Sequence, residues 1–425
     1  MKKLKHIEEL IFSLSLFTMP IERILVFSFS LFTFHLINAQ QLETSINEAL
    51  ANNPEIQKFE LQYQRASEKV NEVNTIPNTE FSVGYFVSEP ETRTGAQRFK
   101  VSAKQMLPWF GTMTSRENYR SALADAKYED IVIVKRKLIT SVSQSYYILY
   151  GNKAKQAVLA KNIKLLETYE TLALTSVETG KASAVDVLRL QMRQNEIQQL
   201  KEVLQQQFLA EQTKFNNLLN RENDVAVNVV DRLMIPSEDF EINTQNLDLH
   251  PELLKYDKLY RSIEQSELLN QKESGPMIGF GLDYINVADR PNMDFSDNGK
   301  DVVMPMVAVS IPIFNRNYKS VTKQNELEQQ EIEAQKQERL NTLETLLDQA
   351  VNERISARIS HATQTKNLKQ AKDAEDILIK SYETGNIDFN DVLDIQELQL
   401  KFQINQIESV KTYYVQTAII NYLTN

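Results

Sequence analysis

The chain has 425 residues, of which 42% are hydrophobic, and a formal net charge of −10 at pH 7. The acidic balance argues against a general nucleic-acid binder, and the lack of cysteine excludes both a disulfide framework and a lipid-accepting cysteine. Only 10 glycines and 11 prolines interrupt the chain, which predicts long uninterrupted elements and a mostly helical fold.

Residues 1–39 have the pattern of a secretory signal peptide. Lysines at the start precede apolar runs, and Ala39 stands at the expected cleavage point. Met19, followed by a basic residue and the apolar stretch 24–37, would begin a complete signal alone, so we expect the biological start there. A retained membrane anchor is the alternative, but each apolar run is shorter than the ~20 residues that a membrane-spanning helix needs.

The segments 78–107 and 277–313 are each predicted to form a β-hairpin. Apolar residues alternate there with polar or small ones, which is typical of strands with one apolar face. The apolar positions are Phe81, Val83, Tyr85, Val87, Phe99, Val101 and Ala103 in the first hairpin, and Ile278, Phe280, Leu282, Tyr284, Val303, Val307, Val309 and Ile311 in the second. Pro305 indicates a strand start or an edge strand, since it has no amide hydrogen to donate.

Two very long helices are predicted after the hairpins. Residues 115–177 keep helical periodicity apart from Gly151, and residues 318–382 contain neither glycine nor proline. At ~1.5 Å per residue each helix would be roughly 95 Å long. Shorter helices are predicted at 184–220 and 389–423. In the latter, a seven-residue spacing typical of a coiled coil relates Leu393, Leu400, Ile407 and Tyr414.

The chain repeats itself. Residues 176–191 (SVETGKASAVDVLRLQ) and 381–396 (SYETGNIDFNDVLDIQ) are identical at eight of sixteen positions. Corresponding proline motifs precede the first helix of each half and follow each hairpin. The pattern predicts an internal duplication. The first repeat is assigned to residues 40–220, with a helical tip at 178–182, and the second to residues 250–425, with a tip at 382–387; residues 221–249 connect the two.

The four amphipathic strands need a partner for their apolar faces. Four strands cannot close a barrel, because even about eight strands only just enclose side chains. In water a small sandwich would bury these faces, whereas in a bilayer several copies would have to share one closed barrel. Aromatic residues near the strand ends favour the shared barrel, namely Tyr85, Phe86, Trp109, Phe110, Tyr284 and Phe314.

In the order and spacing of these motifs, the sequence resembles the TolC family of outer-membrane efflux channels. The motifs are Leu-Pro-Trp-Phe-Gly at 107–111, Ile-Pro-Ile-Phe-Asn at 311–315, Tyr-Glu-Thr-Gly at 382–385 and Asp-Val-Leu-Asp at 391–394. The resemblance implies a homotrimer in which four strands per protomer complete a shared 12-stranded outer-membrane β-barrel. The helical hairpins then form an α-barrel through the periplasm, with a belt built from residues 221–249 and the chain ends.

The resemblance also implies a function. The protein would be a passive conduit, not an enzyme, without cofactor, that exports solutes from the periplasm to the exterior across the outer membrane. Its partners would be a periplasmic adaptor protein, an inner-membrane pump of the resistance-nodulation-division type and outer-membrane lipid, with no nucleic acid. The motif at 107–111 resembles the branch that exports heavy-metal cations. A general drug-efflux channel is the alternative.

Two groups of site residues follow from the resemblance. The tips would contact the adaptor through Glu178, Thr179, Gly180, Glu383, Thr384 and Gly385, and glycine suits such tips because a tight helix reversal needs a positive φ. Tyr382 matches a tyrosine that closes the entrance in the family, but Ile387 stands where the family has an arginine. The closing contacts must therefore differ, and Tyr382 packing the end of a coiled coil is the alternative.

Asp391 and Asp394 complete the predicted pore constriction. They are three residues apart and share one helix face. Asp391 corresponds to Asp186 of the first repeat, which fits an acid at the positive end of a helix dipole. Asp394 corresponds to Arg189 instead. Around a threefold axis, Asp391 and Asp394 would form a ring of six carboxylates, which predicts a cation-selective constriction.

Two other classes of protein would account for parts of the sequence. Against an enzyme, only His250 and His361 follow residue 39, and no phosphate loop or histidine metal motif is present. Both histidines are predicted to be ordinary surface residues, and no metal site is expected. A periplasmic coiled-coil structural or adhesion protein would explain the long helices, but it would leave the two hairpins unexplained.

Overall fold

The computed structural model describes residues 41–73, 75–180, 183–239, 244–384, 387 and 389–424. The predicted signal peptide at 1–39 therefore lies outside the described residues. The described part is mostly helical with a small β part, as the sequence predicts. Among the described residues, no helix is both long and apolar enough to cross a membrane.

Residues 41–220 contain α1 (41–52), α2 (Pro54–Val73), β1 (Glu80–Tyr85), β2 (Glu91–Thr92), β3 (Gly95–Leu107), α3 (Thr112–Glu178) and α4 (Ala184–Leu218). A 3-10 helix (Thr244–Leu249) is followed by α5 (Pro251–Glu273), β4 (Met277–Val287), β5 (Val302–Ser310), α6 (Asn317–Glu383) and α7 (Phe389–Thr424). The two long helices, α3 and α6, have 67 residues each. The long predicted helices are thus confirmed, and they extend one to three residues beyond their predicted ends.

Gly151 does not interrupt α3. A Cβ atom at this position would come within 3.1 Å of the Lys411 side chain, which is tighter than ordinary van der Waals contact. The glycine therefore allows α3 to pack closely against α7 at this point, which offsets the lower intrinsic helix propensity of glycine.

His250 corrects a prediction from sequence. It is 1% exposed and forms the N-cap of α5, where its Nδ1 accepts a hydrogen bond from the Glu252 amide at 3.3 Å. Pro251 follows at the first helical position, where a missing amide hydrogen costs nothing. The prediction that His250 is an ordinary surface residue is therefore wrong. His361 lies partly buried on α6.

The chain divides into two compact units, and each contains segments of both repeats. The helical unit comprises the described residues up to Pro54, those of Lys135–Thr244 and those from Thr345 onward. The sheet unit comprises the described residues of Glu55–Val134 and Gln245–Glu344. The division into repeats at 40–220, 221–249 and 250–425 concerns sequence ancestry and stays a prediction.

The sheet unit contains one antiparallel sheet in the order β1-β3-β4-β5, with the two-residue β2 paired to β3. Pairing of β3 with β4 joins the two predicted hairpins. One row across the sheet is Val83, Val101, Tyr284 and Val303, and the adjacent row is Ser82, Ser102, Asp283 and Met304. The predicted alternation is confirmed: one face is apolar, and the other is mainly polar or small apart from methionines on β5, with Lys100 contacting Asp283. Pro305 lies on β5, at the edge of this sheet, as predicted.

The helical unit has a core between its long helices. Buried side chains from α3, α4 and α7 pack together there, and the cluster includes Leu159, Leu166, Leu190, Leu204, Phe389, Val392 and Leu400. The four positions with coiled-coil spacing on α7 are buried or partly buried, as a packed seam requires.

The connecting segment is fastened to the helical unit by hydrogen bonds. The Val230 amide donates to the Tyr146 hydroxyl at 3.2 Å, and the Leu233 amide donates to the Tyr150 hydroxyl at 3.1 Å. Further along, the Asp239 carboxylate accepts from Arg358 Nη2 at 2.6 Å and from the Tyr413 hydroxyl. Irregular backbone in residues 223–239 is thus held in place by side chains of the long helices.

Asp239 makes this attachment sensitive to pH. Burial opposes ionisation, but hydrogen bonds from Arg358 and Tyr413 outweigh it, so the pKa of Asp239 lies below its ordinary value. A carboxyl whose pKa is depressed by folding stabilises the fold above its unfolded pKa of about 4, and this contribution is lost as the pH falls through the folded pKa.

We therefore predict that Asp239→Asn loosens the connecting segment. Loss of charge-assisted hydrogen bonds costs about 1.5–3 kcal/mol, so amide exchange in residues 229–239 should accelerate roughly tenfold or more at pH 7. Asp231→Asn is the control, because its side chain is 94% exposed and contacts only Lys153 across the described residues. Equal exchange rates in the two variants would show that Asp239 does not hold the segment.

Candidate functional site

The first helical tip reverses the chain through a glycine. Gly180 has φ +71°, a conformation that glycine adopts without the steric cost of a side chain. Its amide donates to the Val177 carbonyl at 3.0 Å. A Cβ at Gly180 would meet nothing within 4 Å, so the backbone conformation alone, and not crowding, requires glycine here. Glu178 and Thr179 are exposed beside it.

The second tip repeats the local bonding of the first. The Thr384 hydroxyl donates to the carbonyls of Ser381 at 2.9 Å and Lys380 at 3.3 Å. Thr179 in the first tip makes the same bonds to the residues three and four positions before it. Thr384 is exposed. Gly385 and the side chain of Glu383 lie outside the described residues, so the expectation for both stays a prediction.

The helix after the first tip begins with a capping box. The Ser183 hydroxyl accepts from the Val185 amide at 3.2 Å, and the Asp186 carboxylate accepts from the Ser183 amide at 3.2 Å. These bonds satisfy amide hydrogens that have no partner within the helix. Asp391 lies at the corresponding place in the first turn of α7, which supports a helix-start role for this carboxylate.

Asp391, Asp394 and Glu397 form an exposed acidic stripe on α7. Glu397 was not predicted from sequence, although its spacing of three residues continues the pattern of the two aspartates. Arg193 on α4 lies 3.5 Å from Glu397, so one end of the stripe has a counter-charge. Asp391 and Asp394 have no ion pair with a described residue.

Arg189 and Arg193 connect the two helical hairpins. They are four residues apart, and therefore lie on one face of α4. Arg189 donates to the Asn390 side chain and Arg193 approaches Glu397, so both reach α7 beside the acidic stripe. Sequence comparison of the repeats identified Arg189 only as the counterpart of Asp394. The spacing of the two arginines was the available signal for a shared contact.

Tyr382 packs inside the protomer. Its ring centroid lies 4.8 Å from that of Phe389, which is 2% exposed. The Tyr382 hydroxyl is buried and has no hydrogen-bond partner among the described residues. Ile387, at the position of the family arginine, is packed against the same core. The arrangement supports the reading of Tyr382 as a residue that packs the hairpin end, while its role in a constriction stays a prediction.

A buried polar network lies further from the tip and was not predicted from sequence. The Tyr169 hydroxyl donates to Glu375 Oε1 at 2.7 Å, and Gln399 Nε2 donates to Glu375 Oε2 at 2.7 Å. Burial raises the pKa of Tyr169, so the hydroxyl keeps its proton and remains a donor. Directional bonds of this kind fix the alignment of α3, α6 and α7 where apolar packing alone would allow sliding.

Among the described residues, no group of three or more histidine, aspartate or glutamate side chains could hold a metal ion. The candidate functional surfaces are the two exposed tips, the acidic stripe and the apolar face of the sheet.

The apolar face of the sheet is open in the single chain. Exposed fractions lie between 50% and 76% for Phe81, Val83, Leu282 and Val307. Phe110 and Phe314 follow the strands toward the helices and are 77% and 96% exposed. Covering an apolar side chain of this size is worth about 1.5–3 kcal/mol, so the face requires an apolar environment.

Both the sequence and the fold are similar to those of known proteins. The sequence model of the outer membrane efflux protein family matches residues 45–221. A comparison with curated protein sequences found no match.

Among solved structures, CusC, studied for transmembrane channel formation, is 15% identical and superposes with a TM-score of 0.76 over 91% of this chain and 92% of its own. The outer membrane protein VceC of Vibrio cholerae is 15% identical, with a TM-score of 0.72 over 91% and 96%. The outer membrane channel MtrE of Neisseria gonorrhoeae, in its open state, is 15% identical, with a TM-score of 0.70 over 90% and 88%.

The sequence motifs, the four-stranded sheet and the paired long helices agree with these comparisons. The sequence of residues 45–221 is similar to the outer membrane efflux protein family, and the chain shares its fold with CusC over 91% of its length.

Proposed function

We propose that the protein is the outer-membrane channel of a tripartite efflux pump. It acts as a passive conduit, without chemistry of its own, through which solutes leave the periplasm. The observation that carries the proposal is the open apolar face of a sheet whose four main strands cannot close a barrel. Three protomers with four strands each would supply the 12 strands of one closed barrel and cover that face with lipid.

Open strand edges support the same arrangement. In the described chain, β1 and β5 each have one neighbouring strand, so each has an unpaired edge. Unpaired backbone groups are not tolerated in the hydrocarbon region of a bilayer. Pairing of β1 in one protomer with β5 of the next would satisfy both edges and close the ring without any new element.

The partners in this proposal are a periplasmic adaptor and an inner-membrane pump of the resistance-nodulation-division type. The two exposed tips, with their matching threonine bonds, offer the adaptor two similar contact points. The exported solute is set mainly by the pump, and the motif at 107–111 favours heavy-metal cations, with drugs as the second candidate. A periplasmic coiled-coil or adhesion protein remains the competing function, but it gives no role to the open apolar face.

The channel proposal predicts a trimer that needs detergent. The protein should stay with membranes through high-salt and carbonate washing, and in detergent its mass should be about three times that of one mature protomer, which is the 49.0 kDa chain without its predicted signal peptide, as the shared barrel requires. The measurement is light scattering after extraction. Release by salt or carbonate would favour the periplasmic coiled coil, and a stable monomer with lipid-protected strands would exclude the shared barrel.

The tip proposal predicts a defect in pump assembly. Gly180→Val or Gly385→Val places a β-branched residue where a positive φ is observed at Gly180 and expected at Gly385. The trimer should remain in the membrane, while adaptor binding and efflux fall several-fold. Cross-linking to the adaptor and efflux assays measure these effects. Ala157→Val, on the exposed surface of α3, is the control for an added β-branched residue. Normal efflux in both glycine variants would exclude the tips as the adaptor contact.

The acidic stripe is proposed to form a cation-selective constriction. Asp391 and Asp394 are exposed and without ion pairs among the described residues. A threefold axis would bring six such carboxylates into one ring, where like charges repel unless a cation is present. Asp394 supports the constriction proposal more strongly than Asp391 does, because the capping box of the first repeat already explains an acidic residue at the Asp391 position.

We predict that multivalent cations added from the periplasmic side block conductance in planar bilayers. Asp391→Asn with Asp394→Asn should relieve this block, since the ring loses its charge. The double variant Glu328→Gln with Glu331→Gln removes two exposed charges three residues apart on α6, far along the helix from the tip, and should leave the block unchanged. If multivalent cations still block conductance in the aspartate variant, Asp391 and Asp394 do not form the constriction, and stabilising the start of the helix is their only remaining proposed role.

A further inference from the structure

A basic groove lies in the sheet unit between α2, α3 and α5. It encloses a cavity of about 290 Å³. Five cationic side chains line it, namely Arg65, Lys69, Arg120, Lys127 and Lys255, and no described acidic side chain is among the lining residues. Such a collection is unexpected in a chain whose formal net charge is −10.

The charges of the groove are only partly balanced. The Asp130 carboxylate lies 3.2 Å from the Lys127 ammonium and 2.7 Å from that of Lys255. This one buried carboxylate is therefore the counter-charge of both lysines. Arg65, Lys69 and Arg120 have no ion pair with a described residue. Like charges gathered in one cavity repel each other, and a bound anion would remove that repulsion.

The floor of the groove is apolar. Leu123 and Leu259 line it together with two alanines. A small hydrated anion would leave this surface unused, whereas an amphiphile would fill it while its charged group met the cations. Arginine forms paired hydrogen bonds with phosphate oxygens, and lysine supplies a compact charge. The chemistry of the lining thus favours a phosphate group attached to an apolar body.

The position of the groove points to the source of such a molecule. Lys69 lies four residues before the end of α2, and Arg120 lies eight residues after the start of α3. At 1.5 Å per residue, these positions are about 6 and 12 Å along the helices from the ends nearest the strands. If the sheet spans the outer membrane, as proposed above, the groove begins at the depth of the lipid headgroups, which extend roughly 5–8 Å beyond the hydrocarbon core.

We propose that this groove is a binding site for the phosphate headgroup of an anionic phospholipid, with part of the acyl chain over its apolar floor. The site would take lipid from the membrane surface that faces the periplasm. The inference rests on the proposed membrane location, and it adds a specific lipid contact on the helices to the nonspecific lipid contact of the sheet.

Native mass spectrometry of the full, detergent-solubilised protein tests the site. Phosphatidylglycerol should be retained in preference to phosphatidylcholine, and Arg65→Gln with Lys69→Gln should lower its retention roughly tenfold. Lys319→Gln with Lys323→Gln is the matched control. It removes the same charge from exposed positions close to the start of α6, and should retain phosphatidylglycerol as the unchanged protein does.

A competition arm separates the possible sources of the phosphate. Inorganic phosphate at millimolar concentration should displace little lipid, because it leaves the apolar floor uncovered. Displacement as effective as that by added phosphatidylglycerol would assign the groove to free phosphate and overturn the lipid proposal. Equal retention of both lipids, or equal loss in the groove and control variants, would also overturn it.

Channel conductance is measured on the same preparations. The groove variant should conduct as the unchanged protein does, since its substitutions lie outside the tips and the acidic stripe. If the protein conducts but retains phosphatidylglycerol and phosphatidylcholine equally, the groove proposal is rejected and the channel proposal stands. Absence of conductance and of a trimer in the unchanged protein would instead reject the proposed channel.

Discussion

The rest of the structure depends on a sheet that has an uncovered apolar face and two unpaired edges in the described chain. Its strand register gathers the apolar side chains on one face, and Val83 and Val307 remain more than 70% exposed there. Its two edge strands each have a free side in the described chain. The proposed trimer would meet both needs, because lipid would cover the apolar face and neighbouring protomers would pair the strand edges. The similarity of residues 45–221 to the outer membrane efflux protein family agrees with this proposal.

The predicted duplication would account for the two tips, and the differences between the two halves would allow the tips to act differently. Thr179 and Thr384 make the same backbone contacts, so the hairpin ends share a local structure. The helices that follow them differ in charge at one corresponding position, where α4 has Arg189 and α7 has Asp394. The two hairpin ends therefore present different surfaces.

Charge is distributed unevenly in this acidic protein. The helical unit carries an exposed acidic stripe with a counter-charge from Arg193 at one end only. The sheet unit carries a groove of five cations, of which two share Asp130. Neither pattern can be read from the net charge of −10. Both leave charges without partners in the described chain, which is typical of surfaces that meet an ion, a lipid or another protein.

The sequence by itself determined the elements of this protein, and only the tertiary structure decided which side chains meet. Alternation in the strands and the scarcity of glycine and proline are local signals, so the hairpins and the long helices followed from them. The burial of His250 and the packing of Tyr382 on Phe389 are set by tertiary packing, and the bond between Tyr169 and Glu375 joins residues 206 positions apart. The basic groove likewise needs three helices to bring its cations together, and no periodicity within one segment encodes that proximity.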